Sequence, residues 1–181
     1  ANAPEGKTFA KSMLALTEKE RLPLRSHWGI TGGDFANVID ADLRKQLDLK
    51  FLQTSFSFIS SKETPLSEKV FLTAKNLFPN TIKEYADIQA PTGFVHAYDL
   101  TRLLIAAVNK APLTGNIIED RALIRDAMEN LNIPVQGLIK NYQKPFSVFD
   151  GSNPDAHEAL GIDDLVMAYY GEDNQILLDR K

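Results

Sequence analysis

Leu22-Pro23-Leu24-Arg25-Ser26-His27 runs straight into Trp28-Gly29-Ile30-Thr31-Gly32-Gly33-Asp34. The first six residues are short and apolar-leaning, and they break into a glycine-rich turn, which is the pattern of a strand. Asp34 is of the type that caps a helix, and Phe35, Val38, Ile39 and Leu43 follow on one face. The stretch therefore predicts a strand, a tight turn and a helix in immediate succession.

The same alternation continues on both sides. Upstream, Pro4 and Glu5 suit a first helical turn, with Phe9, Met13 and Leu16 at helical spacing. Downstream, Leu49 to Phe56 reads as a second strand, followed by a serine-rich loop. Pro65 opens a helix with Leu66, Val70, Phe71, Ala74, Leu77 and Phe78 on one stripe, and Phe78-Pro79-Asn80 stops it. Phe94 to Val108 is apolar on nearly every face, which predicts a helix buried between layers. Asp120 to Leu131 is amphipathic. Beyond it Val135 to Ile139, Phe146 to Phe149, Leu165 to Tyr170 and Gln175 to Leu178 read as short strands, with Gly171-Glu172-Asp173-Asn174 as a hairpin turn. Strands alternating with helices predict an α/β fold, an open sheet with helices on both faces. Boundaries are expected at Gln89-Ala90-Pro91-Thr92-Gly93 and at Gly151 to Pro154.

The chain has 181 residues, a net charge of −4 and no cysteine. That length buries a real core. With 44% hydrophobic and 24% charged residues, it is neither a disordered tail nor a collagen-like fibre. The mild acidity, with a pI near 5.4, argues against a nucleic-acid partner, whose footprint is clustered Lys and Arg. Without cysteine there is no thiol catalysis and no Cys-ligated zinc. No apolar run is long enough to span a bilayer.

Chemistry concentrates in the turn. Ser26, His27, the sole Trp (Trp28) and Thr31 sit among three glycines at a strand end. In open α/β sheets ligands occupy the crevice beyond the carboxyl ends of the strands. Glycines admit a close ligand, and helix-start N–H groups favour a carboxylate or phosphate. Against this stands the plain alternative that the glycines only make the turn and Trp28 only packs. The stretch lacks the Lys of a phosphate-binding P-loop. His96, in an apolar helix, reads first as a core residue, and His157 as a solvated one. Neither His27 nor His96 has a metal-like partner spacing, so no metal and no cofactor are expected. Asp150-Gly151-Ser152-Asn153-Pro154-Asp155 reads as a turn rather than a calcium loop. No nucleophile is accompanied by a base and an orienting acid, so the chain is not expected to be an enzyme.

The order of segments resembles a known family. Asn2-Ala3-Pro4-Glu5-Gly6 opens a helix, and Leu22-Pro23-Leu24 leads to Ser26-His27-Trp28-Gly29. Gly93-Phe94-Val95-His96-Ala97-Tyr98-Asp99 starts a long helix ending Ala106-Ala107-Val108. Asp120-Arg121-Ala122-Leu123-Ile124-Arg125-Asp126-Ala127 follows, and the chain closes on Leu165-Val166-Met167-Ala168-Tyr169-Tyr170. This resembles the C-terminal half of type I periplasmic solute-binding proteins of ABC transporters, in the branched-chain amino acid (Leu/Ile/Val) binding family. The resemblance implies a C-terminal fragment of a two-lobed fold with an open, mostly parallel sheet. Residues 1–92 would belong to the second lobe, 93–145 would cross back toward the first, and 146–181 would form terminal strands at hinge and lobe edges. It implies a periplasmic or lipid-anchored extracellular receptor that traps a small amino acid or organic acid between lobes for uptake. Its partners would be that ligand, an ABC permease and the missing N-terminal lobe, and the fragment's uncovered apolar surface would favour self-association. Ligand-facing residues carry over as Asn2, Ser26, His27, Trp28 and Thr31, with His96, and more weakly Tyr98, near a crossing segment. Family members use an acid in the second loop to pair with a ligand ammonium, and here no acid precedes Asp34. That departure weakens the case for an amino acid as ligand. The alternatives are a ligand-sensing extracellular domain of a membrane signalling protein, or an α/β enzyme acting on a small acid.

Overall fold

In the computed structural model, residues 1–61, 63–88 and 91–179 are described. They divide into two compact units, one of residues 1–94 joined by the stretch from Leu165 onwards, the other Val95–Asp164. Among the described residues no helix is long and apolar enough to cross a membrane. Of the expected boundary at 89–93, Gln89 and Ala90 lie outside the described residues. Pro91, Thr92 and Gly93 form the first turn of a helix. The expected boundary at Gly151 to Pro154 falls inside the second unit.

The first unit begins with helix α1 (Ala3–Leu14). Its buried face is Ala3, Gly6 and Ala10, not the predicted Phe9 stripe, and Phe9 is 62% exposed. The reason is close approach: a Cβ on Gly6 would come within 2.9 Å of Ile30 Cγ1, so only small side chains fit between the helix and its neighbour. Strand β1 (Leu24–His27) follows. The single predicted helix after Asp34 is two short ones, α2 (Phe35–Val38) and α3 (Ala41–Arg44). The break comes at Ile39, which leaves helical geometry at ψ 79°. Asp40 then caps α3 by accepting the Leu43 N–H at 3.0 Å.

Strand β2 (Leu49–Thr54) lies parallel to β1, with His27 opposite Leu52. Helix α4 (Pro65–Leu77) starts at Thr64, whose Oγ1 accepts the Ser67 N–H while Ser67 Oγ accepts the Thr64 N–H. Helix α5 (Pro91–Lys110) carries the chain into the second unit. There follow α6 (Ile117–Glu129), β3 (Val135–Gln136) and β4 (Asn141–Tyr142). The chain returns to the first unit as β5 (Leu165–Tyr170) and β6 (Ile176–Leu178).

The expectation of a mostly parallel sheet is corrected here. The four-stranded sheet runs β1-β2-β5-β6 and is mixed: β1 and β2 are parallel, while β5 is antiparallel to both β2 and β6. The hairpin sets the β5–β6 pair, because the short turn of residues 171–175 joins only antiparallel strands, and β5 enters beside β2 running the opposite way. One apolar core sits against this sheet. Phe35, Ile39, Phe51 and Ala168 are fully buried in it, each large side chain contributing about 2–3 kcal/mol by burial. Tyr170 stacks on Phe35 with ring centroids 5.7 Å apart.

The second unit has its own core of Leu103, Leu131, Val135 and Tyr142. Asp99 of α5 is 2% exposed. Its carboxylate accepts the Leu138 and Ile139 N–H groups at 2.6 and 3.0 Å and the Tyr142 hydroxyl at 2.8 Å. Two expectations fail in this unit. Phe146 to Phe149 is not a strand, because Lys144 at φ 48° turns the chain and Val148 and Phe149 project outward, exposed. Helix α5 is not covered on every face within its unit, since Leu100, Leu104 and Ile105 are exposed. Asp150 makes the expected plain turn, its Oδ1 accepting the Ser152 and Asn153 N–H groups.

Candidate functional site

The turn after β1 is built by its own side chains. Trp28–Thr31 forms a 3-10 turn capped by His27, whose Nδ1 accepts the Gly29 N–H at 3.1 Å. Thr31 Oγ1 donates to Trp28 O at 2.7 Å and closes the turn. Gly29 lets the Asn2 and His27 side chains approach closely. A Cβ there would overlap Asn2 Oδ1 and lie 2.5 Å from His27 Cε1. Gly33 takes the left-handed region, at φ 58°, which glycine adopts without strain. Ser26 Oγ donates to Ala1 O at 3.1 Å.

The predicted residues Asn2, Ser26, His27, Trp28 and Thr31 are thus brought together where β1 ends against the start of α1. Thr31 bonds within that group, and Ser26 and His27 bond to the adjoining Ala1 and Gly29. Trp28 is 39% exposed and meets His27 edge-on at 5.6 Å. His96 and Tyr98 belong to the other unit, on α5. His96 is half-buried, and burial lowers its pKa despite the opposing charge of Asp99. His157 is exposed, as expected of it, and its Nε2 lies 3.0 Å from Glu129 Oε1.

Within the first unit the same turn forms one wall of a cleft of about 300 Å³. Thr31 and Gly33 supply that wall, with Ala36 and Asn37 of α2 beside them. Ser57, Phe58 and Ile59, just past the end of β2, supply a second. Glu84 to Ile88 and Pro91 supply a third, and the hairpin residues Tyr170 and Asp173 to Ile176 close it. The cleft therefore opens beyond the carboxyl ends of the two parallel strands. Of the six predicted site residues, Thr31 alone lines it.

Two aromatic groupings stiffen the walls. Phe58 contacts Phe56, Phe71, Tyr85 and Phe94, and Phe71 meets Tyr85 at 4.2 Å. Tyr85 donates to Glu63 Oε2 at 2.5 Å, which raises the phenol pKa. On the hairpin side Arg44, 8% exposed, donates to Ala36 O at 3.0 Å, Ile39 O at 2.5 Å and Asn174 Oδ1 at 2.6 Å, and lies over the Tyr170 ring. Burial lowers its pKa, yet a guanidinium stays charged. Tyr170 donates to Ile30 O at 3.1 Å, which ties the hairpin to the turn.

Sequence reading missed Arg44, Asp87, Asp173 and Gln175. Asp173 sits in a stretch legible only as a turn. Lys83-Glu84-Tyr85-Ala86-Asp87 follows a helix stop and looks like any polar loop. Among the described residues, no group of three or more His, Asp or Glu is arranged to hold a metal ion.

Set against protein-family models, curated proteins and solved structures, the chain matches none. The resemblance drawn from the order of its segments rests on those segments alone.

Proposed function

We propose that the chain is the solute-binding part of an extracytoplasmic receptor of the type I, two-lobed kind, holding a small amino acid or organic acid without altering it. The observation that carries this reading is the cleft. It lies where an open α/β sheet offers a ligand site, beyond the ends of β1 and β2. Its volume of about 300 Å³ suits a small metabolite. Polar groups from four separate segments converge on it, and the Thr31 turn that forms one wall is braced by the bonds of His27 Nδ1 to the Gly29 N–H and of the Thr31 hydroxyl to Trp28 O.

In this reading the receptor docks on a membrane permease of the ABC type, and a partner lobe completes the site. Ligand burial shifts the two lobes toward a closed arrangement by binding it more tightly than the open one. The family reading itself rests on the quoted segments.

The test is calorimetry and thermal unfolding of the chain against a panel of amino acids and organic acids, with the ligand recovered afterwards for mass analysis. One ligand class is expected to bind saturably, raise the melting temperature and come back unchanged. Conversion of the ligand to a product would establish an enzyme instead. A panel without any binder would end the solute-binding reading.

A further inference from the structure

Residues 143–161 follow β4 and carry neither helix nor strand. They lie wholly in the second unit. Apolar packing fastens both ends of this strap, since Phe146 at one end and Ala159 and Leu160 at the other rest against the core of Leu103, Leu131, Val135 and Tyr142. Across its base the Ser147 N–H donates to Ala156 O at 2.9 Å, and Ala156 is buried. Towards its tip Val148 and Phe149 are exposed.

A polar contact joins the strap to the end of α6. His157 Nε2 lies 3.0 Å from Glu129 Oε1, and the His157 ring sits 6.0 Å from that of Phe149. The Glu129 side chain is only 11% exposed, and a carboxylate so far out of water needs a donor. Among the described residues, no other cation-forming group lies within 4 Å of it. Arg125, one turn back on α6, is committed to Asp126 at 2.7 Å. Lys110 of α5 donates to Asn130 O, one residue past Glu129. On the strap itself Asp155 and Glu158 flank His157, and both are exposed. Glu129 is also the last residue of α6, where the helix dipole favours a cation.

We propose that residues 143–161 form an acid-tightened strap, latched to α6 through His157 and Glu129. Histidine is the side chain whose charge ordinarily changes between pH 5 and 8. The neutral ring gives Glu129 a plain hydrogen bond, and the imidazolium gives it a charge-assisted one. The added attachment is therefore present at mildly acid pH and is lost as the pH rises through the histidine range. The strap with its exposed Val148 and Phe149 then opens more often. This device does not depend on what the cleft of the first unit holds.

Hydrogen exchange of the full chain at pH 5.5 and pH 8, with each rate divided by its intrinsic value, tests this at the Ser147 and Ala156 amides. Opening of the strap is expected to be about threefold rarer at pH 5.5. His157→Gln changes an exposed side chain, and Glu129→Gln keeps an acceptor for the ring. Each is expected to abolish the difference between the two pH values. His96→Gln removes the other histidine of this unit and is expected to leave the difference in place. Equal protection of the two amides at both pH values in the unmodified chain would overturn the proposal. So would a threefold difference that survives either His157→Gln or Glu129→Gln, or one that disappears with His96→Gln alone, because the acid sensitivity would then belong to groups outside the latch.

Discussion

Arg44 shows how much one side chain organises. It is buried and closes the ends of α2 and the hairpin with four hydrogen bonds, to Ala36 O, Ile39 O, Gly171 O and Asn174 Oδ1. Arg44→Met keeps the volume and strands four acceptors, so it is expected to lower the unfolding free energy by about 3 kcal/mol in urea titration. Arg44→Lys retains the charge without the fork and should recover only part of that loss. A loss below about 0.5 kcal/mol for the Met variant would mean that the bonds add nothing to the fold. His96 gives a pH-dependent counterpart. Its folded-state pKa lies below the ordinary value of 6.5 because burial disfavours the imidazolium. The unfolded chain therefore takes up a proton that the folded chain resists. Its contribution to stability is complete above pH 6.5 and is lost as the pH falls from there toward the lowered value, with a slope of at most about 1.4 kcal/mol per pH unit. His96→Gln is expected to flatten the stability curve below pH 6.5. An unchanged slope in the variant would assign that acid sensitivity to other groups.

At the scale of elements, the turn after β1 is the most constrained. Gly29→Ala drives a methyl group into Asn2 Oδ1 and the His27 ring, and an expected loss of about 2 kcal/mol should appear in thermal unfolding. Wild-type stability in that variant would show that Asn2 and His27 move aside freely. This turn was legible because glycines and a strand end carry local rules that operate within a few residues, whereas the Asp34 side chain, expected to cap the next helix, makes no capping bond and pairs with Lys7 at 2.6 Å instead. The β5–β6 hairpin was legible for the same reason, with Asn174 at φ 64° where a turn asks for such a residue. What escaped was set by neighbours. The α1 stripe reads Phe9, Met13 and Leu16 by periodicity, yet Gly6 and Ala10 are buried because Ile30 comes so close. The helix after Asp34 reads as continuous, yet Asp40 offers a better cap and splits it. Strands β3 and β4 have two residues each and leave no alternation to find. Of the candidate cleft only Thr31 came from a motif, whereas Asp87 and Gln175 line it only because distant loops bring them there.

Across the whole molecule, the division into units depends on pairings that no local pattern announces. Phe51 pairs with Ala168, more than a hundred residues on, so the last strands rejoin the first unit. The alternation of strands and helices, by contrast, correctly bounded the fold class as α/β, since that class needs only the order of elements. The same division makes the last prediction spatially specific. A ligand that binds only the folded chain adds about 2.7 kcal/mol at a hundred times its dissociation constant, and hydrogen exchange reports where that gain is felt. For a solute held in the cleft, added protection is expected at Ser57 to Ile59, Tyr85 to Ile88 and the Gly171 to Gln175 hairpin, all in the first unit. The amides of Leu138 and Ile139, fastened to the Asp99 carboxylate in the second unit, should exchange at the same rate with and without ligand. Protection that appears at Leu138 and Ile139 while the three cleft segments stay unaltered would move the binding site out of the first unit altogether, because a ligand slows exchange first in the segments whose opening it must break contacts to allow.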